Sequence, residues 1–284
     1  MYIGILTGPF SKEPLEHVTA FAAEYGFGGM EVAVGGPGSH IDVTNFTQDD
    51  ADRVKTLMER RALTISALAA YINNTDADLA KRAANNQIVK GAIDAASLLG
   101  VDTVCTLAGL PVPGKSKTQM IEEDCAEVFT PLAQYAESKG VKIAIENWFA
   151  TNVQHLGHFE RLFEVVPSKA FGLNYDPSHL IWQDIDYIYG VERFIDRIFH
   201  VHAKDTVMSA QKRAWVGNQY GGSWWRYAIP GQGSVKWGEF ISALRINGYN
   251  GVLSIEHEDD SVSREEGFLM GKKYLEQFFI PGWY

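Results

Sequence analysis

Eight short apolar runs, each followed by a longer segment of helical periodicity, constrain this chain more than any other feature. The strand-like runs cover 2–6, 29–34, 63–69, 101–107, 141–147, 170–176, 198–205 and 252–257. The segments rich in helix formers cover 14–25, 48–61, 76–99, 119–139, 159–166, 191–197, 237–247 and 265–278. Strands that alternate with helices pair in parallel through right-handed crossovers. With 284 residues, the alternation fits one (β/α)₈ barrel, typically ~250 residues long, better than an open doubly wound sheet. No linker-like stretch or composition break divides the chain, so residues 1–284 read as a single domain.

Local signals agree with this division. Thr47 precedes an acidic first turn, Gln48-Asp49-Asp50, as an N-cap should. Gly26, Gly100, Gly140 and Gly248 each stand just past a helical segment, where a left-handed residue is expected. A hydrophobic content of 46% supplies a sizeable core and excludes wholesale disorder. Against 25 Lys+Arg stand 35 Asp+Glu, and the resulting charge of −10 disfavours a nucleic-acid partner. Two cysteines, Cys105 and Cys125, cannot build a disulfide framework or a cysteine zinc module. No apolar run approaches the ~18 residues of a membrane span, and the first residues do not look like a signal peptide. These features point to a cytoplasmic protein.

In a barrel, one parity of each strand faces the helices and the other faces the axis. In the last four strands the apolar parity is opposed by Lys142, Ala144 and Glu146; by Gly172, Asn174 and Asp176; by His200, His202 and Lys204; and by Ser254 and Glu256. Four consecutive strands therefore place Glu146, Asp176, His202 and Glu256 at their C-terminal ends, where such barrels keep their active sites. Taken singly, each has an ordinary reading as a solvated or salt-bridged residue. Converging together, three carboxylates repel one another and lose water, and a cation is the simplest compensation. Mostly hard oxygen donors suit Mn²⁺ first, with Mg²⁺, Co²⁺ or Zn²⁺ as alternatives.

The segments Ile145-Glu146-Asn147, Asp176-Pro177-Ser178-His179, His200-Val201-His202-Ala203-Lys204-Asp205 and Ser254-Ile255-Glu256-His257-Glu258-Asp259 resemble the motifs of sugar isomerases and epimerases with the xylose-isomerase-like TIM barrel. The resemblance implies a divalent metal held by Glu146, Asp176, His202 and Glu256. It also implies that Glu146 and Glu256 serve as acid/base groups on opposite faces of a small sugar, with His179 at substrate oxygens. A metal that chelates a carbonyl and its neighbouring hydroxyl acidifies the C–H between them and stabilises an enediolate. Proton removal by one carboxylate and return by another then gives epimerisation or isomerisation.

Other residues are read from their surroundings. His200, deeper in its strand, is expected to be a packed, hydrogen-bonded interior histidine. Lys204 either touches substrate or neutralises carboxylates. Thirty or so residues, 206–236, separate the seventh strand from the next helix and carry Trp224, Trp225, Arg226 and Tyr227, so Arg226 is a further candidate for substrate contact, as is Trp148 just past the fifth strand, whose ring could stack on a sugar face. A literal G-x-x-x-x-G-K-S match at 109–116 contains Pro111 and Pro113, which lack the N–H groups a phosphate cradle uses, so a proline-stiffened loop is expected instead. One alternative keeps the same metal–enediolate machinery but expels the aglycone of a 3-keto-glycoside. An endonuclease IV-like repair enzyme is disfavoured by charge and by too few histidines for three zinc ions. A catalytically silent barrel is disfavoured by the intact ligand set. The apolar end, 278–284, suggests packing beneath the barrel or a homo-oligomer contact.

Overall fold

The computed structural model describes residues 1–218 and 224–279. Nine strands form the main sheet: β1 (Tyr2–Leu6), β2 (Gly29–Gly35), β3 (Ile41–Asp42), β4 (Thr64–Ala70), β5 (Thr103–Leu107), β6 (Lys142–Glu146), β7 (Phe171–Tyr175), β8 (Ile198–Ala203) and β11 (Val252–Ile255). Their order is β1-β11-β8-β7-β6-β5-β4-β2-β3, and β1 also pairs with β2. Without the two-residue β3, the remaining eight close into a parallel barrel, as the alternation predicts. Between them run α1 (Leu15–Glu24), α2 (Gln48–Arg60), α3 (Leu79–Leu99), α4 (Lys117–Met120), α5 (Ala126–Ser138), α6 (Leu156–Val165), α7 (Ser178–Ile181), α8 (Tyr187–Phe194), α9 (Ala210–Val216), α10 (Trp237–Ile246) and α11 (Arg264–Glu276).

The local signals are realised. Thr47 caps α2 in a reciprocal box with Asp50, each side chain bonding the other's backbone N–H. Gly100 closes α3 with φ of 75° in the left-handed region, and its N–H reaches back to the carbonyls of Ala96 and Ser97. The helix expected over 119–139 is interrupted by a π turn, Ile121–Cys125, whose Asp124 accepts from Arg82 and Lys115, each at 2.7 Å. That pairing also disposes of the phosphate-loop match, because Lys115 is committed to Asp124 and to Glu123 at 2.9 Å. Cys105 and Cys125 are buried free thiols.

Two apolar cores result. The larger lies between the barrel and its helices, with Ile143, Ile145, Phe171, Leu173, Val201, Leu253 and Ile255 pointing outward from the strands. A smaller one of Leu6, Ala67, Ala69, Cys105 and Ala144 fills part of the barrel interior. The strand alternation read from sequence is thus the alternation of these two environments. Phe278 and Phe279 pack against the larger core, whereas the rest of the apolar end, 280–284, lies outside the described residues. Among the described residues no helix is long and apolar enough to cross a membrane.

The long excursion after β8 has internal structure. β9 (Asp205–Met208) and β10 (Trp225–Ala228) form an antiparallel ribbon with α9 inserted between them, and residues 219–223 lie outside the description. Asp205, fully buried, holds its base: its carboxylate accepts from the backbone of Thr206, Gly231 and Val235 and from the Trp237 indole at 2.8–3.0 Å. Gly233 is required there, because a Cβ would come within 2.2 Å of the same carboxylate. Asp259 holds the far side by accepting from the Ile229 N–H at 3.3 Å and from Arg226 at 2.8 Å.

Candidate active site

Neighbouring strand ends bring the four candidate ligands together. Glu146 closes β6, Asp176 follows β7, His202 lies in β8 and Glu256 follows β11. Registry aligns Leu107 with Glu146, Glu146 with Asn174 and Ser254 with His202, so the side chains rise at one end of the barrel. The backbone between β7 and α7 is fixed by Asn147. Its side chain donates to the Asp176 carbonyl at 2.8 Å and accepts from the Asp176 N–H at 2.9 Å. Asp176 in turn accepts from the Ser178 N–H at 2.7 Å, the first turn of α7.

One potential ligand atom from each of Glu146, Asp176, His202 and Glu256 lies within 4.8 Å of the others, and all four residues are buried. His202 Nδ1 faces the three carboxylates at 3.3 Å (Glu146), 3.9 Å (Asp176) and 3.0 Å (Glu256). Lys204, 1% exposed, sits beside them, with Nζ 2.6 Å from Glu256, 2.9 Å from Glu258 and 3.3 Å from Asp176. Its ammonium also lies 4.7 Å from the centre of the Tyr227 ring. Asp176 Oδ2 is buried and accepts no hydrogen bond. A buried carboxylate oxygen that has ion-pair contacts but no hydrogen bond, amid two further carboxylates, fits a cation better than it fits a sealed protein core.

Electrostatics agree with a cation-seeking cluster. Burial opposes ionisation of Glu146, but hydrogen bonds from His179 and His202 and the charges of His202 and Lys204 outweigh it, so its carboxyl stays below the usual range. Burial likewise opposes ionisation of Glu256, and the charges of Lys204 and His202 hold it at about 2. Burial favours a neutral Lys204, yet Glu256, Asp176, Glu258 and Glu146 together raise its pKa well above normal. All of these groups are therefore charged at neutral pH.

A cavity of about 250 Å³ opens onto this cluster, walled by Tyr71, Leu107, Trp148 and His179, with Glu146, Lys204, Glu256 and Glu258 at its floor and side. A larger groove of about 710 Å³, lined by Lys12, His40 and Arg53 among others, shares none of these residues and gathers no such cluster. His179 Nε2 stands 3.3 Å from a Glu146 oxygen, an acceptor, so that nitrogen carries a proton, and it lies 3.4 Å from Asp176 Oδ2 without hydrogen-bonding to it. Its Nδ1 is 2.8 Å from the Tyr227 hydroxyl. Behind this pair an aromatic wall is built from the excursion: Trp225 stacks on Trp182 at 4.4 Å, and Phe149 sets its edge against both.

Of the substrate-contact candidates, His179, Lys204 and Trp148 line the cavity, whereas Arg226 points to Asp259 and ties the excursion down. His200 is interior and fully hydrogen-bonded, as expected. Sequence reasoning missed Glu31 and Tyr71. Glu31 is completely buried in the barrel and accepts from Ser254 and Tyr71, with His202 Nε2 at 3.0 Å. The signal was present: in Met30-Glu31-Val32 an acid opposes two apolar residues, the same alternation that marked the last four strands.

Comparison with known proteins places this geometry among relatives. YfiH of Bacillus subtilis, an uncharacterised protein, is 29% identical over 98% of this chain and 99% of its own. An inosose dehydratase of Clostridium tetani is 26% identical over 60% of this chain, and the match spans 62% of the dehydratase. Among solved structures, an IolI protein with a bound zinc atom superposes with a TM-score of 0.75 at 21% identity, covering 98% of this chain and 99% of that one. The 3-keto-D-glucoside 4-epimerase YcjR of E. coli superposes with a TM-score of 0.74 at 16% identity, with the same coverage. Residues 19–278, nearly the whole chain, match one family, and the protein belongs to it: the xylose isomerase-like TIM barrels.

Proposed function

We propose that this protein is a divalent-metal-dependent isomerase or epimerase that moves a proton at a carbon beside a carbonyl in a small sugar or sugar derivative. The observation that carries the proposal is the convergence of four buried ligand atoms within 4.8 Å of one another, beside an Asp176 oxygen that accepts no hydrogen bond. Glu146, Asp176, His202 and Glu256 are the residues that would hold the metal, and the zinc-bearing IolI fold neighbour supports that reading. A divalent cation in such a site supplies Lewis acidity toward a carbonyl and its neighbouring hydroxyl. Mn²⁺ suits the donor set best.

The protein's own groups supply the remaining chemistry. Glu146 and Glu256 stay ionised in a buried site, so either can accept a proton from carbon once a substrate fills the cavity. Their positions on β6 and after β11 let one remove a proton and the other return it. His179, with its proton on Nε2 and its other nitrogen engaged by Tyr227, donates toward substrate oxygen. Lys204 adds a fixed positive charge near developing negative charge. Trp148, Tyr71 and Leu107 shape the cavity and displace water from it.

A second reading is elimination, in which the same proton removal is followed by loss of a β-substituent, hydroxide or an aglycone. The dehydratase relatives support it. Incubation in D₂O with Mn²⁺ and a panel of ketoses, inososes and 3-keto-glycosides, followed by NMR, separates the two. Stereospecific C–H exchange with an intact carbon skeleton is the expected result, and Glu146→Gln and Glu256→Gln should each lower the rate by roughly 10²–10⁴-fold. Loss of water or aglycone would move the assignment to elimination. Turnover unaffected by either substitution would remove both glutamates from the mechanism.

A further inference from the structure

We infer that Glu31 is the positioning residue for His202: it ends a one-way chain of hydrogen bonds that leaves Nδ1 of His202 as the nitrogen offered to the three carboxylates. The inference rests on the metal reading above and names a residue which that reading does not use.

The directions of the bonds follow from what each group can give. Glu31 is flanked by three donors: Ser254 Oγ at 2.8 Å and His202 Nε2 at 3.0 Å on one oxygen, and the Tyr71 hydroxyl on the other. A carboxylate accepts only, so Nε2 of His202 carries its proton toward Glu31 and Tyr71 spends its own on Glu31. The Tyr71 oxygen is then free to accept, and Asn174 Nδ2 donates to it at 2.8 Å. With its NH₂ so directed, Asn174 turns its carbonyl oxygen to His200 Nδ1 at 2.9 Å, which must be the protonated nitrogen of that ring. Nε2 of His200 accepts in turn, from Ser66 Oγ at 3.2 Å. Ser66, His200, Asn174 and Tyr71 thus pass donors toward Glu31, and His202 donates to it beside them, its Nε2 lying 3.0 Å from the Tyr71 hydroxyl and from Asn174 Nδ2 as well.

The backbone is bent to make this chain. The sheet departs from regular parallel register at two places among the described residues, between Met30 and Glu31 and between Leu173 and Asn174. Both irregularities fall on members of the chain, and such bulges re-aim side chains. The second of them sets Asn174 opposite His200. A buried carboxylate with no Lys or Arg beside it is costly where an apolar residue would pack, so its burial calls for a partner that needs it. A metal-ligating histidine is such a partner, because a carboxylate on its far nitrogen fixes both tautomer and ring plane.

Glutamine at position 31 keeps the shape but brings a donor of its own, so one of the three flanking donors faces another donor. In metal-free protein titrated with Zn²⁺ and Mn²⁺ by calorimetry, Glu31→Gln is expected to weaken binding by about 10–100-fold. ¹⁵N-resolved NMR of the Zn²⁺-loaded wild type should show His202 protonated on Nε2, and circular dichroism of the variant checks its fold. Unchanged affinity in a folded Glu31→Gln protein, or a proton on Nδ1 of His202 in the loaded wild type, would overturn the positioning role and leave the metal reading standing. A wild type that binds neither ion would overturn both. If Glu31→Gln does not fold, Tyr71→Phe replaces it as the test. That variant removes only the donor on the other Glu31 oxygen, should weaken binding by a few-fold, and an unchanged affinity would overturn the inference.

Discussion

Two polar layers are stacked inside this barrel, and they are built on opposite rules. In the lower layer, Glu31, Asn174 and His200 have every side-chain nitrogen and oxygen engaged, and Ser254 donates into the same network. In the upper layer Glu146, Asp176, Glu256 and the half-exposed Glu258 face one ammonium, Lys204, and an Asp176 oxygen accepts no hydrogen bond. His202 belongs to both, with Nε2 below and Nδ1 above. A closed network holds one arrangement of its members, and an excess of buried negative charge stores affinity for a cation. The comparison teaches that polarity in a barrel interior is not one signal: the satisfied layer has the character of scaffold, and the unsatisfied layer is where the proposed site lies.

The largest expected effect comes from breaking the upper layer. A bound ion stabilises by about 2.7 kcal/mol at one hundred times its dissociation constant, which corresponds to several degrees of melting temperature in a chain of this size. Asp176→Asn should abolish most of that gain while leaving the metal-free protein melting no lower than wild type, because one repelling carboxylate has gone. Thermal unfolding with and without Mn²⁺, before and after chelation, measures both quantities. A metal-free variant much less stable than wild type would show that the upper layer is scaffold after all.

An opposite pattern is expected from the lower layer. Asn174→Leu leaves the buried His200 Nδ1 without its acceptor and the partly buried Tyr71 hydroxyl without its donor. An unsatisfied buried donor costs about 1–3 kcal/mol, so the loss of the His200 acceptor should be about 1–3 kcal/mol. Unlike the Asp176 effect, it should appear in urea unfolding whether or not metal is present.

Sequence legibility divides along the same line. The eight strands were readable because each alternates between the two cores, and the upper layer was readable because its acids and imidazole sit at successive strand ends where nothing apolar competes. Glu31 was not read, because one acid in an early strand looks like a chance polar residue until the barrel closes and carries β2 across to β8 and β11. Nor could Arg226 be separated from a substrate ligand: that it turns to Asp259 depends on how an antiparallel ribbon folds back over the barrel. The π turn at Ile121–Cys125 escaped for a related reason, since its Asp124 is drawn by Arg82 and Lys115 from elsewhere in the chain.

The smallest effect sharpens the comparison most finely. Ser254 contributes one of the three donors to Glu31 and shares its acceptor oxygen with His202. Ser254→Ala removes that donor without leaving a donor unpaired, and Glu31 retains Tyr71 and His202. Because both partners of every remaining bond survive, the cost should be near the ordinary worth of one hydrogen bond, about 1 kcal/mol. Metal affinity should stay within a few-fold of wild type. The result depends on redundancy at the Glu31 carboxylate: two donors suffice to hold it, provided one is the imidazole. A loss in affinity as large as that of Glu31→Gln, measured in the same titration, would mean instead that the carboxylate is placed by Ser254, and that the orientation of His202 is set from β11 rather than from the chain through Asn174 and Tyr71.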